Sequence, residues 1–535
     1  MQGTRTGRAL RTFGAERRGN VAVIFAIATP VLALLWAGAV DFNRLTSARS
    51  DLQDSLDAAT LAVARSEKVT DPEFQELGDD ALAANVRLKP GRSLGDSRFY
   101  GADNGRTVKA EATMVVERSV IGGFGDRTVS LSAASEVVRA SNDVEVSLVL
   151  DTTGSMAGQK IIDLRAAAQE LVDIVVKDQQ TPFYTKVAIV PYSMAVNVGS
   201  YATEARGAIT PGAAITGATK ANPVRITSNN HGFANGARVW IRNVQGMTQL
   251  NNKEFVVSNA TSNTFTLRYV DSNGNLQNVD GTASNYGSYT RNGLIFCTTP
   301  GCQYYGFNNN SNPSVRRVFQ VSTCVTERTG VNAYTDVAPS VAPFGRNYPG
   351  PNNPCIANTV QPLTSNKAAL KTSIDNLAAA GSTGGHIGVG WGWYTLSPQF
   401  RALWPAESDP GDYRAKKLIK ATVIMTDGEY NSSYCNGVIS RDSTTGSGSP
   451  ADHVNCDAPN GHAFDQAQAL CTAMKAEGVL VYTIGFAVVN DQRARNLVNQ
   501  CATSEAHVHL PSTGADLKQA FRLIAQDLSR LRLSH

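Results

Sequence analysis

The first half of the chain contains no cysteine, and none of the eight cysteines that follow lies in a Cys-x-x-Cys pair. Because structural zinc sites commonly draw two ligands from such a pair, zinc binding is not expected. Charge is also scarce: the formal net charge is only +4, no basic stripe is interleaved with aromatic residues, and no glycine-rich loop is followed by lysine. These absences argue against nucleic-acid binding and against a phosphate-binding loop.

What is present is the composition of an ordinary globular protein, with 42% hydrophobic and 18% charged residues. A length of 535 residues predicts more than one domain. The even number of cysteines favours disulfides in an oxidising compartment, whereas a cytosolic chain would hold free buried thiols. The N-terminal segment distinguishes these alternatives.

Residues 21–40 carry no charged side chain, and a run of this length suffices for a helix to cross a bilayer. Five arginines and one glutamate precede the run, so the positive-inside rule predicts a cytoplasmic N-terminus over residues 1–19 and a periplasmic location for the bulk of the chain, with export to the cell surface left open. The alternative is a signal peptide cleaved near residues 37–39. The apolar run is long for a signal peptide, and a helical repeat continues past it, so a retained inner-membrane helix over residues 20–65 is expected.

The same segment carries a family pattern. Residues 17–26 read Arg-Arg-Gly-Asn-Val-Ala-Val-Ile-Phe-Ala, and the motifs Asp-Phe-Asn-Arg at 41–44 and Leu-Asp-Ala-Ala at 56–59 follow. This pattern resembles the N-terminus of TadG-like proteins of the Tad/Flp pilus assembly system, in which a pilin-like helix leads many members to a C-terminal von Willebrand factor A domain. The resemblance implies pilus assembly or surface adhesion as the function and pilus or envelope components as partners. Ile24 stands where a cleaved prepilin has glutamate, so processing after Gly19 is not expected.

A second motif lies at residues 151–156, which read Asp-Thr-Thr-Gly-Ser-Met and follow the apolar run of residues 146–150. A carboxylate with hydroxyls two and four residues later supplies the oxygen ligands that a hard cation prefers. Gly154 allows the tight turn that directs Thr153 and Ser155 to the same point. The motif resembles the metal-ion-dependent adhesion site of von Willebrand factor A domains.

That resemblance implies a distant threonine and a distant aspartate as further ligands. Thr383 lies in the sequence Gly-Ser-Thr-Gly-Gly, and Asp427 follows the apolar run of residues 421–425. The resemblance therefore implies an Mg²⁺ site, with Mn²⁺ as the alternative ion, whose five ligands are Asp151, Thr153, Ser155, Thr383 and Asp427. A carboxylate from a protein partner would fill the remaining position, which makes the expected function cation-dependent, non-enzymatic binding.

Two other functions stay open. A metal-dependent hydrolase would need a general base beside the metal, and Glu429 and His386 are the candidates near the motif. A glutamate after Asp-Gly is more often a solvated loop residue, which favours the non-enzymatic function. A purely structural role would use the N-terminal helix for assembly and the C-terminal domain as a spacer.

Strand and helix patterns alternate over residues 143–535, which predicts an α/β fold with a doubly wound, mostly parallel sheet of the von Willebrand A type. The ligand loops would lie at the carboxyl ends of its strands, where such sheets form binding sites. Before it, residues 66–105 read as helix and loop, while the alternating residues 107–117 predict a half-buried strand with residues 127–139 as its partner. We therefore expect a small α+β stalk over residues 66–140.

The alternation is interrupted after residue 192 by a stretch too long for a bare loop. Residues 221–290 contain short β-rich runs separated by Asn and Gly turns, which predicts a small barrel or sandwich. The pattern resembles the small β-barrel module of ubiquitin-activating enzymes and phage tail proteins, and the resemblance implies a structural or interaction role. Residues 291–362 are rich in Asn, Gly and Pro and hold four cysteines, so order there is expected to need cross-links.

The cysteine spacing alone leaves the disulfide connectivity open, because eight cysteines can pair in many ways. Cys471 and Cys501 belong to the last helix–strand units and form the favoured pair. Cys435 with Cys456 would close the loop after Asp427. The two remaining pairs are assigned without support from the spacing, as Cys297 with Cys302 and Cys324 with Cys355.

Overall fold

The computed structural model describes residues 19–118, 127–488 and 491–533. The chain divides into two compact units, one formed mainly by the residues up to Ser141 and the other by the residues from Asn142 onward. The predicted cytoplasmic segment, residues 1–19, lies outside the described residues except for Gly19.

The first unit begins with one long helix, α1 (Gly19–Arg65). Its N-terminal part is long and apolar enough to cross a membrane, and large side chains there are mostly exposed, such as Phe25 (68%) and Trp36 (70%). Farther along α1, Leu52 and Leu56 are completely buried. The N-terminal part of α1 is therefore apolar and exposed on all sides, whereas its C-terminal part is amphipathic and packs through one face. The apolar repeat after residue 40 predicts this packing.

A second helix and an antiparallel sheet complete this unit. The elements are α2 (Asp71–Asn85), β1 (Arg92–Ala102), β2 (Thr107–Glu117) and β3 (Thr128–Val138), in the sheet order β1-β2-β3. β2 buries alternate side chains from Val108 to Val116, and β3 pairs with it along its whole length, so the predicted strand and its partner are confirmed. The prediction of helix and loop over residues 66–105 is wrong for β1. This strand buries only Phe99 and therefore has no alternating apolar pattern.

The second unit opens with the strand that leads into the candidate metal loop. β4 (Asp143–Asp151) is buried at every position, as expected for a central strand whose sheet is covered on both faces. A short 3₁₀ turn follows, and the chain then forms α3 (Gln159–Val175) and β5 (Thr185–Tyr192). Leu164 and Leu171 lie at helical spacing on the buried face of α3, which anchors the helix on the sheet.

The long interruption after β5 is mostly β structure. Its elements in chain order are β6 (Val196–Asn197), α4 (Ala202–Arg206), β7 (Ala213–Ala214), β8 (Gly217–Ala218), β9 (Arg225–Thr227), β10 (Arg238–Arg242), β11 (Lys253–Ser258), β12 (Thr264–Val270), β13 (Leu276–Asn278), β14 (Leu294–Cys297), β15 (Tyr304–Asn308), β16 (Arg316–Gln320), β17 (Cys324–Thr326) and β18 (Gly345–Arg346). Strands β7 to β14 form one antiparallel sheet around their own apolar core, which includes Val239 and Phe265. Most of the β-rich stretch expected at residues 221–290 lies in this sheet, and β15 and β16 form a separate hairpin.

The chain then returns to the core of the second unit. The remaining elements are β19 (Gln361–Thr364), α5 (Lys367–Asp375), α6 (Gly385–Tyr394), β20 (Leu418–Thr426), β21 (Tyr434–Cys435), β22 (Val438–Ile439), α7 (Ala463–Ala476), β23 (Leu480–Gly485), α8 (Gln492–Cys501), β24 (Val508–His509) and α9 (Gly514–Leu533). The central sheet has the order β19-β5-β4-β20-β23-β24, and only β19 runs antiparallel to its neighbour.

Helices cover both faces of the central sheet. Residues of α3, α5 and α9 share one apolar core with Val146 and Leu148 of β4, and residues of α6, α7 and α8 share another with Val149. The predicted mixed α/β class is confirmed. The mostly parallel arrangement is confined to this sheet, because the other sheets of the described residues are wholly antiparallel.

All eight cysteines are paired in disulfides. The pairs are Cys297–Cys302, Cys324–Cys355, Cys435–Cys456 and Cys471–Cys501, the same four that were named from the sequence. Cys471 lies on α7 and Cys501 on α8, so this bond joins two helices on one face of the central sheet. All four cysteines of the Cys297–Cys302 and Cys324–Cys355 pairs lie within residues 291–362, the stretch where cross-links were expected.

We expect loss of the Cys471–Cys501 disulfide to destabilise the protein more than loss of the Cys297–Cys302 disulfide. A disulfide restricts the unfolded chain, and its effect grows with the length of the loop that it closes, here a sequence separation of 30 against 5. Replacement of both cysteines by serine should lower the free energy of unfolding by about 3–4 kcal/mol for Cys471–Cys501 and by about 2 kcal/mol for Cys297–Cys302. Urea denaturation of both double variants measures the difference, and the reverse order of losses would contradict the loop-length argument.

Candidate metal centre

Two neighbouring strands bring the predicted carboxylates to one edge of the central sheet. β4 ends at Asp151, and β20 ends at Thr426, directly before Asp427. Because β4 and β20 pair in parallel, their carboxyl ends lie side by side. The two apolar strands therefore place both aspartates where α/β sheets form their binding sites.

Four side-chain oxygens form a continuous row at this edge. Thr153 Oγ1 lies 2.6 Å from Asp151 Oδ1 and 2.9 Å from Ser155 Oγ. Ser155 Oγ in turn lies 2.6 Å from Asp427 Oδ1. In an octahedral magnesium site with bonds of about 2.1 Å, adjacent ligand oxygens lie about 3 Å apart. The row thus has nearly the spacing of oxygens that share one small divalent cation.

The row has three oxygen–oxygen contacts but only two hydroxyl protons. Thr153 and Ser155 each carry one hydroxyl proton, and these protons serve the hydrogen bonds to Asp151 and Asp427. Either hydroxyl could donate in the 2.9 Å contact between Thr153 and Ser155, but when both protons serve the carboxylates none remains for this contact. A cation bound by both oxygens relieves this contact, so the residues of the row fit a metal ion.

Asp151 is completely buried and is held through its second oxygen. Its Oδ2 accepts hydrogen bonds from the hydroxyls of Tyr192 at 2.9 Å and Thr426 at 3.1 Å, which leaves Oδ1 facing Thr153. Burial raises the pKa of Asp151 to about 6, and the charge of Asp427 adds to the rise. A cation at the row would favour the ionised form. Tyr192 and Thr426 are not among the residues predicted for the site, and their one signal in the sequence is their place at the carboxyl ends of β5 and β20.

Lys160 is a further member of the site and is not among the residues predicted for it. Its Nζ donates a hydrogen bond to Asp427 Oδ2 at 2.7 Å; the Asp427 side chain is 1% exposed and that of Lys160 is 35% exposed. Lys160 is the second residue of α3, where the helix dipole disfavours a positive charge unless an acidic group compensates it. A lysine at this position indicates that an acidic partner is present, but the sequence does not identify that partner.

Thr383 is buried, and the segment that contains it contacts the metal loop through Gly381. The carbonyl of Gly381 accepts a hydrogen bond from the Gly154 N–H at 2.9 Å, and Gly381 has the left-handed φ of +79° that favours glycine. The main-chain N–H of Thr383 donates to the Asn431 side chain at 2.8 Å. The Thr383 hydroxyl makes no hydrogen bond within the described residues, so it stays available as a ligand, although the structure does not bring it into the row.

The donor set suits a hard cation. It consists of carboxylates and hydroxyls, and no group of three or more His, Cys, Asp or Glu side chains that could hold a metal occurs within residues 19–118, 127–488 and 491–533. Oxygen-only sets of this kind favour Mg²⁺ or Mn²⁺ over softer ions. Of the two candidate general bases, Glu429 is exposed. His386 is completely buried with its Nε2 3.5 Å from Glu327, so it is a core residue.

Together the fold and the row of oxygens define an α/β protein with an apolar N-terminal helix and an oxygen-lined candidate metal centre. Two segments match family models. Residues 19–66 match the putative Flp pilus-assembly TadE/G-like family, and residues 224–298 match the ubiquitin-activating enzyme E1 FCCH domain. No curated protein matches the chain. The N-terminal segment is therefore TadE/G-like, and this likeness covers the apolar helix that was expected to be an anchor.

Several solved structures are similar at low scores. The von Willebrand factor domain of the type V pili tip protein Mfa5 from Porphyromonas gingivalis has 11% identity and a TM-score of 0.33, covering 73% of this chain and 97% of that one. The pilus adhesin SpaC from Lactobacillus rhamnosus GG has 10% identity and a TM-score of 0.31, covering 83% of this chain and 36% of that one. The pilus adhesin RrgA from Streptococcus pneumoniae has 9% identity and a TM-score of 0.31, covering 82% and 50%. The chain thus spans half or less of the two adhesins, and scores this low establish no common fold.

Proposed function

We propose that this protein is a membrane-anchored, non-enzymatic component of Tad/Flp-type pilus assembly or surface adhesion that binds a protein partner through a divalent cation. In this proposal α1 anchors the chain in the inner membrane, with the N-terminus in the cytoplasm and the second unit in the periplasm. The second unit acts as a von Willebrand factor A-type domain that holds Mg²⁺, or alternatively Mn²⁺. The proposed ligands are Asp151, Thr153, Ser155, Thr383 and Asp427.

The row of four oxygens carries this proposal. Its consecutive separations of 2.6, 2.9 and 2.6 Å suit one small cation. Gly154 and Ser155 are exposed, so a cation at the row would be reached from solvent. A carboxylate is the charged oxygen ligand that another protein can offer at such a position. The TadE/G-like match over residues 19–66 supports the pilus context.

Capture of a partner in Mg²⁺ and in excess EDTA tests the proposal. The full chain in detergent micelles is immobilised and exposed to an envelope extract, and bound proteins are identified by mass spectrometry. Thr383→Val removes one proposed ligand hydroxyl without changing the side-chain size, and Thr203→Val makes the same change at an exposed position. We expect one partner to be retained in Mg²⁺ by the wild type and by Thr203→Val, and to be lost in EDTA and with Thr383→Val.

Retention of the same partner in EDTA would refute binding through a cation. If Mg²⁺ binds and no partner is retained, the structural role of an anchor with a spacer domain is favoured instead. A hydrolase would be recognised by turnover of phosphoester or peptide substrates that is lost with Glu429→Gln.

We expect the stabilisation by Mg²⁺ to depend on pH. Burial raises the pKa of Asp151 from 3.8 to about 6, so the metal-free folded protein prefers the protonated carboxyl and loses stability as the pH rises towards 6. Mg²⁺ needs the ionised carboxylate and competes with that proton. The rise in melting temperature caused by Mg²⁺ should therefore be largest above about pH 6 and should fade below it. Thermal melts with and without Mg²⁺ measure this, and an equal rise on both sides of pH 6 would contradict it.

A further inference from the structure

A groove of about 1130 Å³ opens between strands β10 to β13 of the insert and the β15–β16 hairpin. Aromatic side chains form much of its wall, including Trp240, Tyr269, Tyr286 and Tyr304. Small-molecule sites commonly measure about 300–1,000 Å³. The groove therefore has room for an extended chain, and none of its lining residues belongs to the candidate metal centre.

One wall of the groove is strand β16. Within the described residues β16 pairs only with β15, and all five of its residues line the groove. An unpaired strand edge presents main-chain donors and acceptors to any extended segment that lies beside it. The free edge of β16 is therefore a template for one more strand.

The register of the hairpin shows which residues of β16 present that edge. Val321 donates its main-chain N–H to Gln303, and Asn309 donates its N–H to Val315, so both flanking pairs are hydrogen-bonded. Hydrogen-bonded and non-hydrogen-bonded pairs alternate along an antiparallel ladder. The alternate residues of β16 whose main-chain N–H and C=O point away from β15 are therefore Arg316, Val318 and Gln320.

The charged side chains of the groove leave a positive surplus. Four basic and two acidic residues line it, namely Arg242, Lys253, Arg316, Arg317, Glu254 and Asp280. Arg316 is paired with Glu254 at 2.6 Å, and Arg317 is paired with Asp452 at 3.3 Å. No carboxylate lies within ion-pair distance of Arg242 or Lys253 in the part of the chain that the structure describes. These two cations suit the carboxylates of a ligand.

Arg242 is also held in place before any ligand arrives. Its guanidinium donates a hydrogen bond to the Tyr304 hydroxyl at 2.8 Å, and that hydroxyl donates to Gln320 at 3.2 Å. The ring of Trp240 lies 6.1 Å from the ring of Tyr304, so a rigid aromatic wall stands next to the guanidinium. Groups that are fixed in this way lose little conformational entropy when they bind.

We propose that this groove binds an extended, acidic peptide segment of another protein, which adds as a strand to the free edge of β16. Strand addition supplies main-chain hydrogen bonds, and the groove supplies contacts for alternate side chains. Carboxylates of the segment would pair with Arg242 and Lys253. A second copy of this chain is a poorer occupant, because its own β16 carries Arg316 and Arg317 and would oppose like charges.

A displayed library of random peptides, selected on the full chain in detergent micelles, tests the proposal. Val318→Pro removes an N–H that points away from β15, so it blocks the edge without loss of a hydrogen bond within the hairpin. Val318→Thr keeps that N–H and is the matched control. The double variant with Arg242→Gln and Lys253→Gln removes the unpaired charges. Fluorescence anisotropy measures the affinity of each selected peptide for these variants.

We expect Asp and Glu to be enriched among the selected peptides. Their affinity should fall about tenfold or more with Val318→Pro and with the double variant, and by less than about twofold with Val318→Thr. Selected peptides without an acidic bias, or acidic peptides that bind Val318→Pro as tightly as the wild type, would overturn the proposal. If Val318→Pro does not fold, the peptides are N-methylated at alternate amides and tested against the wild type. We then expect their affinity to fall about tenfold or more, and unchanged affinity would overturn the proposal.

Discussion

Replacement of Asp151 by asparagine is expected to abolish Mg²⁺ binding and to make the metal-free protein more stable at neutral pH. Asparagine keeps the size of the side chain but removes the charge of a proposed ligand. Changes in residues that only support metal ligands weaken affinity by about 10–100-fold. Loss of Asp151 as a ligand should therefore weaken Mg²⁺ binding by more than about 100-fold.

The expected gain in stability follows from the burial of Asp151. Burial raises the pKa of this carboxyl from 3.8 to about 6, so at neutral pH the folded protein holds a charge that its surroundings disfavour. One pKa unit corresponds to about 1.4 kcal/mol, and removal of the charge should raise the free energy of unfolding by roughly 1–3 kcal/mol. The gain should shrink to about 0.5 kcal/mol near pH 4, where the carboxyl is largely protonated in the folded protein and about half protonated in the unfolded chain, and it should vanish at lower pH.

Titration calorimetry with Mg²⁺ and urea denaturation of the metal-free protein measure the two effects. Glu429→Gln is the matched control, since Glu429 is an exposed carboxylate two residues after Asp427. It should leave the Mg²⁺ affinity within about twofold of the wild type. An Asp151→Asn variant that still binds Mg²⁺ tightly, or that is less stable than the wild type at neutral pH, contradicts the role assigned to Asp151. A substitution that abolishes binding but raises the free energy of unfolding is typical of a residue that serves function rather than stability.

The core of the candidate site could be predicted because its residues form local patterns. Asp151, Thr153 and Ser155 follow one another in a single loop, and Asp427 directly follows a second apolar strand. A parallel sheet brings the ends of such strands together, so the fold class and the motifs suffice to place both aspartates. Thr383 depended on the family resemblance, and its main-chain hydrogen bonds go to Asn431 and Ser432 rather than to the row of oxygens.

Contacts between residues distant in sequence could not be predicted. Lys160 meets Asp427 across 267 positions, and helical periodicity reports only which face of α3 is apolar. β1 escaped prediction for a related reason, since Phe99 is its single buried residue and the strand exists through its pairing with β2. Patterns in sequence report burial, and they fail where a side chain or a strand is defined mainly by its partner.

Replacement of Lys420 by methionine is expected to destabilise the central sheet strongly. Lys420 in β20 pairs with Glu145 in β4, and their side chains are 3% and 0% exposed. Glu145 also accepts hydrogen bonds from the Tyr184 hydroxyl and the Gly411 N–H, both at 2.9 Å. Without Lys420 the carboxylate stays buried without its cation, which costs about 3–5 kcal/mol. Burial lowers the pKa of Lys420, so this ammonium group depends on Glu145 in turn.

Urea denaturation at neutral pH measures this loss, and two further variants decide its cause. Lys416→Met makes the same chemical change at an exposed position and should alter the free energy of unfolding by no more than about 0.5 kcal/mol. Adding Glu145→Leu to Lys420→Met should recover most of the lost stability, because a buried pair replaced by apolar side chains leaves no charge behind. A double variant as unstable as Lys420→Met alone would mean that shape and hydrogen bonding at this position matter more than charge. The pair links β4, which ends at Asp151, to β20, which ends directly before Asp427. Recovery of stability in the double variant should therefore be accompanied by unchanged Mg²⁺ affinity.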